Sequence, residues 1–136
     1  MMATNHNTRI VTLRVDTSNV DQTNLHETCD FGPQQEAQNA SLEDFYIEVD
    51  KNDEVIWEGV SKNGKDEVII EVISWKDGIP AFGQNVNVLS RGPNPGTVSC
   101  RIRNNTGKPG NCRYNIIFSV SNKMGTYTID PDIRIR

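Results

Sequence analysis

The sequence predicts an all-β fold, a two-sheet antiparallel β-sandwich of about eight strands in a single domain. Three observations predict it. Asn, Thr, Ser, Gly and Asp are plentiful, and these are turn and edge residues rather than helix formers. Apolar and polar residues alternate with period two along most of the chain, as they do in half-buried strands. Turn signals recur at sandwich-like intervals between the alternating runs. The 136 residues suit one domain and suffice to bury a core without a metal or a disulfide.

Residues 9–16 open the pattern, with Val11, Leu13 and Val15 on one face and Thr12, Arg14 and Asp16 on the other. Residues 1–8 before them form a polar tail. Residues 17–44 show little periodicity and read as a long loop or arm, with a short helix over residues 34–43 as one option. Residues 45–50 resume the alternation, with Phe45, Ile47 and Val49 inward. A polar turn at Lys51, Asn52 and Asp53 leads to residues 54–60, which hold Trp57 as a core residue. So short a turn reads as a hairpin or as one long kinked strand.

Residues 67–75 are apolar on both faces, with Val68, Ile70 and Val72 one way and Ile69, Ile73 and Trp75 the other. Such a strand is expected at the centre of a sheet with cover on each side. Residues 85–90 read as a short, weaker strand. Val98, Cys100 and Ile102 alternate with polar neighbours, then Tyr114, Ile116, Phe118 and Val120, then Tyr127, Ile129, Ile133 and Ile135. Pro131 lacks the N–H of a ladder bond and places an edge or a bulge in the final strand.

The formal net charge is −4, from 14 Lys plus Arg against 18 Asp plus Glu. Such a surface lacks the basic footprint that phosphate backbones require, so nucleic acid is not an expected partner. No stretch has the apolar length of a membrane span. Residues 1–8 lack the apolar middle of a secretory signal, so a cytoplasmic location is expected unless a leader has been removed. In that setting the sequons at Asn39 and Asn104 carry no sugar.

Catalytic machinery is not legible. His6 and His26 are the two histidines, and neither neighbours a nucleophile. A nucleophile elbow, a phosphate-binding glycine loop and a zinc helix motif are all missing from the sequence. Asp50, Asn52 and Glu54 follow the order of a calcium loop, but Val55 stands where the turn glycine belongs, and a solvated turn is the reading. An enzyme, a metal site and a cofactor are therefore not expected.

Residues 44–59, DFYIEVDKNDEVIWEG, resemble the early strand and turn of cupredoxins, with their V-x-x-x-D-x-V-x-W pattern. The resemblance covers about one eighth of the chain and implies a sandwich of cupredoxin-like connectivity. The family's copper site does not come with it, because Cys112 is followed by Met124 but by no histidine. An immunoglobulin-like connectivity fits equally, without the Cys-Trp-Cys spacing of antibody domains.

Two groups of side chains are candidate sites. Trp75, Ile79 and Phe82 lie in or beside one loop, where apolar groups either mark a partner or ligand surface or close the end of the core. Cys100 and Cys112 share the inward parity of neighbouring strands, so a disulfide across a hairpin is one option. Reduced, partly buried thiols are the other, with Cys29 as the third. The function expected is a non-enzymatic structural or protein-interaction domain, including a self-assembling subunit. The alternative is a small-ligand or carbohydrate-binding module with Trp75 and Phe82 as a stacking platform.

Overall fold

A computed structural model describes residues 7–103 and 107–136. Most of the expected polar tail, His6 and the sequon at Asn104 lie outside the described residues. The elements run β1 (Thr8–Val15), α1 (Leu25–Thr28), β2 (Cys29–Asp30), α2 (Pro33–Gln38), β3 (Tyr46–Val49), β4 (Glu54–Ser61), β5 (Val68–Gly78), β6 (Val88–Leu89), β7 (Val98–Arg101), β8 (Gly110–Val120), β9 (Tyr127–Ile129) and β10 (Asp132–Ile135). They build two facing sheets. The smaller has the order β2-β1-β4-β7, and the larger β3-β10-β8-β5-β6, with β9 also pairing β8.

The all-β sandwich is therefore present, and its inward parity is the one the sequence sets. Val11, Leu13, Val15, Phe45, Ile47, Val49, Trp57, Tyr114, Ile116, Phe118, Ile129, Ile133 and Ile135 are all buried in one core. At its centre Trp57 lies 5.5 Å from Tyr114 and 6.0 Å edge-on from Phe82, and the Trp57 indole N–H donates to the Tyr114 hydroxyl at 3.1 Å. A buried indole N–H needs such an acceptor. Burial pushes the Tyr114 phenol above its ordinary pKa of 10.0.

Several expectations need correction. The sheets are mixed rather than antiparallel, because β1 runs parallel to β4 and β3 parallel to β10. The strands number ten rather than about eight among the described residues, two of them only two residues long. β3 and β4 do not form a hairpin. The chain passes from the larger sheet to the smaller through the turn at residues 50–53, so β3 and β4 are two separate strands and not one kinked strand, with Asn52 at φ 77° in the turn. In β5 the pairing with β8 shifts between Ile70 and Val72. One extra residue at that bulge reverses the parity, so Ile73 faces the core beside Val68 and Ile70, and Val72 does not.

Residues 17–44 are not a projecting arm. Val20, Leu25, Cys29, Phe31 and Leu42 are buried in the common core, and Phe31 stacks on Phe45 with ring centroids 4.3 Å apart. The segment closes one open side of the sandwich with two short helices and β2. The stretch has no strand period because its apolar residues each plug a gap rather than line a face. Pro131 marks neither an edge nor a bulge: it separates β9 from β10, both of which pair β8, and β10 is flanked by β3 as well.

Candidate assembly edge

Of the sequence-predicted site residues, Phe82 is in the core at 3% exposure and offers no surface. Trp75 and Ile79 are half-buried against that core, and the Trp75 indole N–H donates to the Ile79 carbonyl at 3.1 Å. The loop folds back on itself because Gly78, at φ 88°, reverses the chain where a Cβ would strike the Asn111 carbonyl. With Phe82 buried, only Trp75 and Ile79 of the three reach solvent, each in part.

Cys100 and Cys112 do not face each other across a hairpin, because β7 belongs to the smaller sheet and β8 to the larger. All three cysteines are free thiols. Burial pushes Cys29 and Cys100 up to about 11 and Cys112 up to about 12, so all three stay protonated and poorly nucleophilic near neutral pH. Among the described residues no group of three His, Cys, Asp or Glu side chains could hold a metal ion.

The feature that stands apart is the outer edge of β1. In the parallel register Thr8↔Glu54 to Val15↔Ser61, the Glu54 N–H donates to the Asn7 carbonyl at 2.9 Å and the Lys62 N–H to the Val15 carbonyl at 2.8 Å. Odd-numbered residues of β1 therefore turn their backbone groups to β4. Alternation turns those of Thr8, Ile10, Thr12 and Arg14 the other way. On that side β2 pairs only with Arg14 and Val15. Among the described residues, no strand pairs with residues 8–13 there.

Beside this edge runs an open groove of about 660 Å³ between β1, helix α2, β3 and Arg136. Its opposite wall is protected. Gln38 of α2 donates from Nε2 to the Tyr46 carbonyl at 2.7 Å and accepts from the Tyr46 N–H at 3.2 Å. One side-chain amide thus occupies the edge of β3 in place of a neighbouring strand. The Arg134 guanidinium covers the Tyr46 ring at 3.5 Å, and Arg136 reaches Glu48 at 3.8 Å and Asp50 at 3.4 Å. Among the described residues no side chain caps β1 in this way, and Ile10 is 49% exposed there.

The start of β1 is held firmly all the same. Asp53, 1% exposed, accepts the Asn7 N–H at 2.8 Å and the Asp50 N–H at 2.9 Å, with Arg9 Nε 3.9 Å away. Sequence reading placed Asp53 in a solvated turn and overlooked Ile10, because it reads only as the polar-face exception in an alternating run. Its apolar character among Thr8, Thr12 and Arg14 on the outward face was the signal available.

No protein-family model matches the chain. No curated protein matches it significantly. Among solved structures, the chain is similar to the inclusion body protein PixA from Burkholderia cenocepacia J2315. That likeness has a TM-score of 0.63 at 11% identity, and covers 100% of this chain and 99% of that one. At that identity the likeness is one of fold, and it extends over the whole of both chains.

Proposed function

We propose that this protein is a non-enzymatic structural subunit that associates with copies of itself. The observation that carries this reading is the bare outer edge of β1, with the half-exposed Ile10 at its middle and an open groove alongside. Soluble β proteins ordinarily cover or charge such an edge, because unpaired backbone groups are a template for another strand. Further apolar side chains reach solvent at Val60 on the outward face of β4 and at Val86 and Val88 near β6. Support also comes from a structural neighbour that shares the fold from end to end, an inclusion body protein. Fold alone does not assign function, so the weight rests on the edge.

The test is molar mass by light scattering over a concentration series, with and without reductant. A mass above 15.3 kDa that grows with concentration is expected, and reductant should leave it unchanged because the thiols are free and half to fully buried. A constant monomer mass at every concentration overturns the reading.

A further inference from the structure

Resting on that reading, the geometry points to how two copies join: by antiparallel pairing of their β1 edges about a two-fold axis at Ile10. The outward backbone groups of Thr8, Ile10 and Thr12 set the register. Antiparallel partners that exchange both hydrogen bonds must each turn N–H and C=O toward the other strand. Centred on Ile10, this pairing sets Ile10 against Ile10, Thr8 against Thr12, and Arg9 against Val11 of the second copy. Each outward residue then both gives and receives a bond, closing on the order of six hydrogen bonds between the copies.

Side-chain chemistry agrees with that register. Thr–Thr and β-branched apolar pairs are favourable cross-strand neighbours, whereas like charges directly opposite are unfavourable. Centring on Ile10 opposes no like charges over residues 8–12. A centre at Arg9 would set Arg9 against itself. A centre at Val11 would set Val11, buried in its own core, at the axis and bring Arg14 opposite Thr8. The pairing also stops where it must, because β2 occupies the edge from Arg14 onward. A two-fold contact of this kind uses the same patch on both subunits, so it needs nothing but a second copy.

This arrangement makes a prediction that other contact geometries do not. Only in a two-fold pairing centred on Ile10 does residue 10 face residue 10. Ile10→Lys alone and Ile10→Glu alone each place like charges opposite one another, and each should weaken association about tenfold. Mixing the two variants in equal amounts places Lys opposite Glu and should restore the mass of the unmodified protein. Circular dichroism of each variant checks the fold, which an exposed position leaves intact. Ile10→Pro is the backbone version: it deletes one outward N–H, leaves the β4 ladder whole, and should also dissociate the pair. If the unmodified protein associates but the Lys and Glu variants associate as well as it does, the β1 pairing is wrong while self-association stands. If the variants separate and the mixture stays apart, β1 is used but the two-fold register is wrong. A protein monomeric at all concentrations overturns both readings.

Discussion

At the scale of single residues, Asp53 does the most structural work for its size. Its carboxylate gathers the N–H groups of Asn7 and Asp50, tying the start of β1 to the bend that carries the chain between sheets. The backbone around it joins in, with the Ile102 N–H donating to the Asp53 carbonyl at 2.8 Å. Buried donors stripped of their acceptor retain a desolvation cost, so Asp53→Ala should destabilise by about 3 kcal/mol. The midpoint of urea unfolding measures this, and a loss under about 0.5 kcal/mol would mean water replaces the carboxylate without penalty. The residue was legible as polar and turn-forming, but not as buried. Its burial comes from Asn7, Arg9 and Ile102, all remote in sequence. Trp57, by contrast, was legible as core from its place in an alternating run, because that burial follows from local parity.

At the scale of elements, the faces of strands were readable and their neighbours were not. Period two sets which side chains point inward, but it carries no information on which strand lies alongside. The parallel pairs β1–β4 and β3–β10 therefore came as corrections, as did the separation of β7 from β8. Residue 71 shows a second limit. A bulge inserts one residue, and every inward position beyond it changes parity, so Ile73 rather than Val72 reached the core. Helix α2 shows a third: its six residues bury none of their number, and its contribution is the Gln38 amide on the edge of β3. Gln38→Ala should bare that edge. The variant is expected to keep its fold, judged by circular dichroism, and to aggregate faster than the unmodified protein in a turbidity assay on warming. Equal aggregation rates would show that α2 shields β3 by bulk and not through this amide.

At the scale of the whole molecule, charge and edges together decide behaviour. A hydrogen bond from the Asn19 side chain holds the Asp16 carboxyl below its ordinary 3.8, and the Thr23 backbone N–H does the same for Asp21. Burial acts to raise Asp30, but the Lys62 ammonium 2.9 Å away, the Gly32 N–H and the Arg14 charge together outweigh it and the net shift is downward. Carboxyls depressed in the folded state stabilise it fully above 3.8, and that stability is lost as pH falls through their lower folded values. Asp132 runs the other way, raised by burial against Arg113 and Arg134, and its protonation offsets part of the loss. Thermal midpoints from roughly pH 5 to roughly pH 2 should therefore fall steadily, and a flat profile would show these hydrogen bonds to be equally present in the unfolded chain. The edge of β1 became visible only in this whole-molecule frame, since an edge is defined by what fails to lie beside it. Sheet order has a further consequence, for synthesis. β10 lies between β3 and β8 in the larger sheet, yet among the described residues it follows every other strand in sequence. Until Asp132–Ile135 has left the ribosome, β3 has no neighbour in its sheet, while β8 already pairs with β5 and β9. Docking of β3 onto the larger sheet must then wait for β10, and a chain stalled before Asp132 would expose more strand edge than one that has passed it.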